Sequence, residues 1–406
     1  MAIGVTTPKH LLAIDGIRLG VAAAGIRYAD RSDLVLVEIA EGAECAAVFT
    51  KNAFCAAPVI VCRQHLSISM PRFLVINSGN ANAGLGEAGL QASQDCCAAV
   101  ADLGGCATEQ VLPFSTGVIG ENFPTQILVD GLPAAQSDLD TNNWLPAAQA
   151  IMTTDTVAKG ISEQVNIDGH TITITGIAKG SGMIRPDMAT MLAYIATDAN
   201  VSNDVLKNCL HQAVDNSFNR ITVDGDTSTN DACLLIATGK SANAPITDID
   251  SVEAEIFITA VEKVSKHLSE SIIRDAEGVT RLMTIVVEQG LDTAECDEVA
   301  FTVAHSPLVK TALFAGDPNW GRILAAVGRA GVPDLDVEKI QIFLDDVCIV
   351  HNGGRDAAYT EEAGEAVMQQ EMLTVTIQLG RGDVCTRVQT SDLSYDYVKI
   401  NAEYRS

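Results

Sequence analysis

The sequence lacks the patterns that mark several common classes of protein. It has no run of about 18 consecutive apolar residues, so we expect no membrane-spanning helix. Residues 1–15 show no basic segment followed by an apolar run, so we expect no secretory signal and a cytoplasmic location. Lys and Arg number 26 against 52 Asp and Glu, which gives a formal net charge of −26. A surface of this sign repels phosphate backbones, so nucleic acid is a poor partner.

Metal-binding and nucleotide-binding motifs are missing as well. The 11 cysteines include no C-x-x-C pair, and the 7 histidines include no H-x-x-x-H pair. Such scattered thiols predict reduced, mostly buried cysteines and no metal site. No G-x-G-x-x-G follows a predicted strand, and the R-x-x-G-x-G loop of common acetyl-CoA-dependent acetyltransferases is absent.

The residues that are present favour a mixed α/β fold. Hydrophobic residues make up 47% and aromatics only 4%, so the core is built mainly from small aliphatic side chains. Strands are predicted over residues 34–39, 73–76, 171–177, 191–196, 221–223 and 232–237, and a hairpin over residues 373–379 and 384–388. Helices are predicted over residues 91–100, after Ser202, from Ser251 to about Leu268, and at Asp317, with Asp317 as the cap and Pro318 in the first position.

A glycine-rich loop that precedes Thr190 carries the most distinctive chemical pattern. Residues 178–187 contain two glycines and a proline, which break regular structure before the apolar run that begins at Met191. A threonine hydroxyl is a useful nucleophile only when a base takes its proton. Cleavage just before Thr190 would free an α-amine with a pKa of about 7.7–8.0, and that amine could be the base. Ala189 is small enough to permit attack on its carbonyl, but an ordinary surface loop entering a strand fits the same residues.

Long runs along the whole chain resemble the ornithine acetyltransferase family, whose members are glutamate N-acetyltransferases. Residues 179–192 (KGSGMIRPDMATML) are similar to the self-processing segment of that family. Further matching runs are FTKN at 49–52, AAPV at 56–59, NSGNANA at 77–83, STGVIG at 115–120, MTTDT at 152–156, SFNRITVDGDTSTND at 217–231, GDPNWGR at 316–322 and NAEYRS at 401–406. The resemblance implies the acetyl-recycling step of arginine biosynthesis, in which an acetyl group moves from N-acetylornithine to glutamate.

The resemblance also implies roles for individual residues. The chain would cleave itself between Ala189 and Thr190, and Thr190 would then be the nucleophile. Thr116 and Gly117 would stabilise the oxyanion through a side-chain hydroxyl and a backbone N–H. The implied substrate-binding residues are Thr153, Lys179, Thr190, Glu277, Asn401 and Ser406. Of these, Lys179 suits a carboxylate and Glu277 an ammonium group.

The same resemblance implies the architecture and the assembly. The fold would be a layered sandwich of sheets and helices of the ornithine acetyltransferase and DmpA-like type, similar in layout to N-terminal nucleophile hydrolases. An α fragment of residues 1–189 and a β fragment of residues 190–406 would remain associated, as a heterotetramer with two copies of each. The resemblance implies no metal and no bound cofactor.

Three alternatives remain open at the level of the sequence. A self-processing aminopeptidase or amidase would use the same Thr190 but pass the acyl group to water. A binding or scaffold protein would stay uncleaved and transfer nothing. Within the acetyltransferase hypothesis, acetyl-CoA remains possible as a second acetyl donor.

Overall fold

The computed structural model describes residues 2–185 and 191–404 of the chain. Three residues with predicted roles, Ala189, Thr190 and Ser406, therefore lie outside the described residues. The described strands are β1 (Ile17–Ala22), β2 (Leu34–Ile39), β3 (Glu44–Phe49), β4 (Phe73–Asn80), β5 (Val111–Val118), β6 (Lys159–Ile167), β7 (His170–Lys179), β8 (Leu192–Thr197), β9 (Ile221–Thr222), β10 (Ala232–Ala237), β11 (Leu282–Gly290), β12 (Gln341–Leu344), β13 (Val347–His351), β14 (Gly354–Arg355), β15 (Met372–Gln378) and β16 (Val384–Ser391). The described α-helices are α1 (Ala57–Leu66), α2 (Glu87–Gly104), α3 (Thr125–Ser137), α4 (Trp144–Ala150), α5 (Asn203–Asp215), α6 (Val252–Arg274), α7 (Thr293–Ala304), α8 (Pro307–Ala315), α9 (Trp320–Gly328), α10 (Glu361–Met368) and α11 (Tyr395–Ala402).

Two sheets pack face to face to form the larger part of the molecule. The first sheet has the strand order β1-β2-β4-β5, and the second has the order β3-β10-β8-β7-β6. A shared core that includes Leu74, Leu192 and Leu234 fills the space between them. Helices α2 and α3 cover the outer face of the first sheet, and α5 and α6 cover the outer face of the second. The result is a four-layer αββα sandwich, which confirms the predicted mixed α/β layered fold.

Strands β8 and β10 of the second sheet are mostly apolar because both of their faces are covered. Every residue of β8 and of β10 is buried. Inward and outward positions are both apolar in such strands, so they appear in the sequence as continuous runs rather than as alternating patterns. The strands predicted at residues 34–39 and 232–237 coincide with β2 and β10 for this reason.

A third sheet forms a separate core in the C-terminal part of the chain. Its strand order is β14-β13-β12-β15-β11-β16-β9, and a core from α7 to α10 packs against it. The short strand β9 comes from the middle of the chain and pairs in parallel with β16. This pairing connects the third sheet to the segment that leads into β10.

The predicted hairpin of residues 373–379 and 384–388 is wrong. Both segments are strands, but β11 lies between them, parallel to β15 and antiparallel to β16. The turn that joins them caps the end of β11, since the backbone N–H groups of Arg381 and Gly382 donate to the carbonyl of Gln289 at 2.8 and 2.9 Å. A short glycine-containing connection predicts adjacent strands, and no local signal shows that a strand about 90 residues earlier will insert.

The predicted helix start at Asp317 is also wrong by a few residues. Helix α9 begins at Trp320, and the side chain of Asn319 caps it by accepting from the N–H of Arg322 at 3.1 Å. Asp317 instead accepts from the side-chain amide of Asn319 at 3.0 Å, which orients the cap. At Ser251 the prediction is confirmed, because its hydroxyl accepts from the N–H of Ala254 at 3.2 Å and starts α6.

Most of the thiols lie inside the protein, as predicted. The buried cysteines are Cys45, Cys62, Cys96, Cys97, Cys209, Cys233 and Cys296. Burial raises the pKa of Cys233 to about 12, which keeps this thiol neutral and unreactive. None of the helices in the described ranges combines the length and the apolarity that a membrane crossing requires.

Candidate active site

One cavity of about 260 Å³ collects the predicted site residues that the structure describes. Strand β7 runs antiparallel to β8, and β10 runs parallel to β8, so the end of β7 and the starts of β8 and β10 share one edge of the second sheet. The cavity lies at this edge and also reaches the end of β5 and helix α11. The predicted residues that line it are Thr116, Gly117, Thr153, Lys179, Glu277 and Asn401. Met191, which follows Thr190 in the chain, lines the cavity as well.

The predicted oxyanion pair lies where two parallel strands end side by side. Thr116 and Gly117 belong to β5, and their neighbours on β4 are Ser78 and Gly79. The strand register shifts between Gly79 and Asn80, so the two backbones approach each other closely. A Cβ atom on Gly117 would lie 2.3 Å from the carbonyl carbon of Gly79, and the φ angle of Gly117 is +133°. Only glycine fits this position.

Buried amide side chains hold this strand end in place through hydrogen bonds. Ser115 donates to the Asn77 side chain at 2.6 Å, and Asn77 donates to the carbonyl of Asn80 at 2.9 Å. The amide nitrogen of Asn230, just before β10, donates to the carbonyls of Ala81 and Ser115 at 2.6 and 2.9 Å. The network therefore connects the first sheet to the second. The polar residues of the runs 77–83 and 228–231 thus have a structural role, because their side chains hold these two segments together.

A buried ion cluster lies behind the segments that carry Thr153 and Gly180. The Lys159 ammonium lies 2.6 Å from a carboxylate oxygen of Asp155 and 2.7 Å from one of Asp275, and all three side chains are almost fully buried. Burial acts to raise the pKa of Asp155, but the charges of Lys159 and Lys179 outweigh burial and hold it well below its usual range. Burial acts to lower the pKa of Lys159, but the two carboxylates raise it above its usual value.

The cluster also positions two parts of the cavity wall. Asp155 accepts from the backbone N–H of Thr153 at 3.1 Å and from that of Gly180 at 2.7 Å. The backbone carbonyl of Asp275 accepts from the hydroxyl of Ser181 at 2.6 Å. The start of the loop that leads to Thr190 is thus bound to the same charged core as Thr153.

Glu277 presents a buried carboxylate at the cavity. Its side chain accepts from the Asn401 amide at 2.7 Å, and only 6% of the residue is exposed. The loop passes close by, because a Cβ on Gly182 would lie 2.3 Å from Oε2 of Glu277. Helix α11 brings Asn401 here, and Ser394 caps that helix while donating to the carbonyl of Gly278 at 2.6 Å. Most carboxylates lie on the protein surface, but Glu277 is buried at the cavity.

Asp231 is a second carboxyl at the cavity, and it was not among the predicted site residues. It is buried, and its Oδ2 has no hydrogen-bond partner among the residues that the structure describes. Burial raises its pKa well above the usual range, and Ser228 and Lys179 oppose that effect only in part. A neutral acid at the cavity wall can donate a hydrogen bond, which an ionised one cannot. Its position in the dense polar run 217–231 is the one sequence signal that could have indicated it.

A possible metal-ligand group lies elsewhere, on the third sheet. Atoms of Cys348, His351 and Asp356 that could bind a metal lie within 4.8 Å of one another. Burial raises the pKa of the Cys348 thiol, and the nearby charge of Asp356 raises it further. The thiol is therefore mainly protonated when no cation is bound, and the proximity of three such groups is not by itself a metal site.

Comparison with known proteins places these features in a family. The model of the ArgJ family matches residues 18–406. The arginine biosynthesis bifunctional protein ArgJ of Pseudomonas fluorescens (strain Pf0-1) is 55% identical over 409 residues, and the alignment covers 100% of both chains. The protein of the same name from Psychrobacter arcticus is 54% identical over 407 residues, again with 100% of both chains covered.

A solved structure of ArgJ from Bacillus halodurans is 33% identical, with a TM-score of 0.49, and the match covers 52% of this chain and 98% of that one. The match at 53–55% identity to curated relatives and the family model over nearly the whole chain agree with the resemblance found in the sequence. This chain belongs to the ArgJ family.

Proposed function

We propose that this protein transfers an acetyl group from N-acetylornithine to glutamate through an acetyl ester on Thr190. The observation that carries the proposal is the single cavity lined by Thr116, Gly117, Lys179, Glu277 and other predicted residues from distant parts of the chain. The names of the family relatives place them in arginine biosynthesis, which supports this choice of reaction.

The nucleophile would be created by cleavage of the Ala189–Thr190 bond. Met191, which follows Thr190 in the chain, lines the cavity, and this supports Thr190 as the nucleophile. The α-amine freed by cleavage takes the proton of the Thr190 hydroxyl, and the oxygen attacks the acetyl carbonyl. The tetrahedral oxyanion then accepts hydrogen bonds from the Thr116 hydroxyl and the Gly117 N–H.

Collapse of this intermediate breaks the amide C–N bond, and ornithine leaves with the proton that the amine had taken. The amine of glutamate next attacks the ester carbonyl, and the Thr190 oxygen departs and recovers a proton. The acetyl group is conserved, since neither step consumes water.

The charges at the cavity suit amino-acid substrates. Glu277 would pair with an ammonium group and Lys179 with a carboxylate, while Thr153, Asn401 and Ser406 supply neutral hydrogen bonds. Glu277 is buried and accepts from the neutral Asn401 amide, which suits this carboxylate to receive an ammonium group.

Strand order supports continued association of fragments 1–189 and 190–406 after cleavage. In the second sheet, β3, β7 and β6 belong to the first fragment, and β8 and β10 belong to the second. Strand β10 lies between β3 and β8, so each fragment completes the hydrogen-bond ladder of the other. We propose two copies of each fragment in the assembled enzyme. The unpaired cysteines of the described ranges support a reducing compartment such as the cytoplasm.

The relatives are named bifunctional, which supports acetyl-CoA as a second acetyl donor for glutamate. No bound cofactor is required in either case, because the acetyl group passes through Thr190 alone. Formation of N-acetylglutamate from acetyl-CoA and glutamate, with no acetylornithine present, tests this second activity.

The main experiment mixes the purified protein with N-acetylornithine and glutamate and follows both products. We expect N-acetylglutamate and ornithine in equal amounts, and neither product with Thr190→Ala. Thr171→Ala, which changes an exposed threonine of β7, is the matched control and should keep full activity. Release of free acetate instead of N-acetylglutamate would identify an amidase and reject the transferase.

A further inference from the structure

The loop that leads to the proposed cleavage point is held by a turn from the other side of that point. Both carboxylate oxygens of Asp224 accept from consecutive backbone N–H groups, those of Met183 at 2.7 Å and of Ile184 at 3.0 Å. The carbonyl of Ile184 accepts in turn from the N–H of Val223 at 2.8 Å and from the Thr222 hydroxyl at 3.0 Å. We call this segment, Thr222, Val223 and Asp224, the clamp. It binds both the N–H groups and a carbonyl of the loop at Met183 and Ile184.

The clamp stabilises a backbone conformation that is unfavourable for the loop by itself. Met183 has a φ angle of +53°, in the left-handed region that residues other than glycine rarely adopt. Its side chain is 42% exposed, so burial of that side chain does not stabilise the conformation, whereas the next residue, Ile184, is buried. A sparsely populated backbone state of this kind persists only when its surroundings enforce it. The hydrogen bonds of Asp224 supply that enforcement.

The carboxylate of Asp224 is fully engaged and has little freedom to move. Besides the two loop amides, it accepts from the N–H of Asp226 at 3.2 Å and from the Tyr397 hydroxyl at 3.2 Å. Four donors match the roughly four acceptor sites of an ionised carboxylate. Tyr397 belongs to α11, so the clamp is braced by the same helix that brings Asn401 to the cavity.

We propose that Asp224 is a positioning residue for self-cleavage, because it fixes the described end of the loop that leads to the Ala189–Thr190 bond. The inference rests on the proposed cleavage at that bond. The attack forms an ester between the Thr190 oxygen and the Ala189 carbonyl carbon as the C–N bond breaks, and water then hydrolyses that ester. Reactions of this kind depend steeply on placement, and a shift of about 1 Å can slow them by about 100-fold. The three-residue clamp belongs to the second fragment and the loop to the first, and both lie in one chain before cleavage, so the contact needs no second protein.

The test compares Asp224→Asn with the matched control Asp226→Asn, whose side chain is exposed on the same turn. Each full-length chain is synthesised in a cell-free system, and the cleaved fraction is followed over time on denaturing gels. An asparagine keeps the shape but has one acceptor oxygen for two loop amides. We expect cleavage to slow on the order of 10- to 100-fold for Asp224→Asn and less than about two-fold for Asp226→Asn.

A second variant and a second measurement separate positioning from general loss of folding. Thr222→Val keeps the shape of Thr222 and removes its hydrogen bond to Ile184, and we expect cleavage several-fold slower than in wild type. In the uncleavable Thr190→Ala background, Asp224→Asn should increase hydrogen exchange of the peptide that contains Met183 and Ile184, with the exchange of α6 unchanged.

The outcomes distinguish this inference from the function on which it rests. If the wild-type protein cleaves itself, and Asp224→Asn and Thr222→Val cleave at the same rate as wild type, the proposed role of the clamp is wrong. The proposed acetyl transfer is not affected by that result. A wild-type protein that remains whole, yet active, rejects cleavage itself. If hydrogen exchange rises equally over all peptides of Asp224→Asn, that variant has lost its fold and does not report on the clamp. A wild-type rate of self-cleavage in Thr222→Val then contradicts the inference.

Discussion

At the scale of single residues, the carboxylates around the cavity differ in ways that determine what they can do. Glu277 is buried beside the neutral Asn401, whereas Asp155 is neutralised by Lys159. Asp231 is buried with an unpartnered oxygen, and burial raises its pKa. Glu277 is therefore suited to receive a cation, Asp155 is structural, and Asp231 tends to be neutral.

Glu277→Gln should weaken binding of a substrate ammonium and change the transfer step little. A hydrogen bond to a charged group is worth about 1.5–3 kcal/mol, so we expect KM for N-acetylornithine to rise about 10- to 100-fold. Steady-state kinetics measures this, and Glu255→Gln, an exposed carboxylate at the start of α6, is the control. An unchanged KM would show that Glu277 does not meet the substrate.

Asp231→Asn should change the pH dependence of the reaction. Asp231 is neutral below its raised pKa and gains a negative charge as the pH rises through that value. This charge, close to Lys179, would repel substrate carboxylates, so KM for glutamate should rise with pH in wild type. Asparagine stays neutral, so the rise should be absent in the variant. A parallel rise in both proteins would assign the effect to another group.

Some of these roles could be predicted from the sequence and others could not. Thr116, Thr153 and Lys179 lie in runs that resemble the family, so the resemblance indicated them directly. Asp224 and Asp231 lie in such a run too, but their importance depends on which side chains face the loop and the cavity. The partnership of Lys159 with Asp275 has no local signal, because the two residues are 116 positions apart.

At the scale of secondary-structure elements, the register of β4 and β5 shapes the proposed oxyanion site. Parallel strands end at the same edge of a sheet, and the shift at Gly79 and Asn80 brings the backbones together where Gly117 lies. The buried strands β2 and β10 were predicted well, because continuous apolar runs are strong local signals. The hairpin prediction failed for β15 and β16, because insertion of β11 between them depends on contacts distant in sequence.

Gly117→Ala should abolish most activity through this element. The added Cβ would lie 2.3 Å from the backbone of Gly79, so the strand end must shift and the N–H at Gly117 must move with it. Loss of one oxyanion donor costs about 10²–10³ in rate, and we expect kcat to fall by at least that much. Gly120→Ala is the control, since its φ is +80° but nothing lies within 4 Å of its Cβ. Comparable losses of kcat in both variants would point to backbone strain rather than the oxyanion donor.

At the scale of the whole molecule, charge pairs inside the αββα sandwich connect the two proposed fragments. Asp155 and Lys159 belong to residues 1–189, and Asp275 belongs to residues 190–406. The second sheet interleaves strands of both fragments in the same way. Association after cleavage therefore depends on a shared core and a shared buried ion cluster.

Lys159→Met should destabilise the folded protein strongly at neutral pH. Removal of the cation leaves two buried carboxylates without their partner, a change that costs about 3–5 kcal/mol in the free energy of unfolding. Lys263→Met is the control, because Lys263 pairs with Glu163 at 2.7 Å on an exposed surface, and such pairs are worth about 1 kcal/mol or less. Urea unfolding measures both variants, and equal small effects would contradict the role of the cluster.

The same variant should show a distinctive dependence on pH. The folded-state pKa of Asp155 is depressed, so its stabilising contribution is present above the unfolded value of about 3.9 and is lost as the pH falls through the folded pKa. Without Lys159, burial favours the neutral forms of these carboxylates. The free energy of unfolding of the variant should therefore rise as the pH falls and the carboxylates take up protons. We expect the difference in unfolding free energy between wild type and Lys159→Met to shrink from pH 7 to pH 4. A constant difference would exclude this linkage.

The most direct measurement of the central claim is intact mass spectrometry of active protein before and after brief exposure to N-acetylornithine without glutamate. We expect two fragments whose masses correspond to residues 1–189 and 190–406, and the second should become heavier by one acetyl group located on Thr190. A single full-length mass in active protein, or an acetyl group on any residue other than Thr190, would contradict the mechanism.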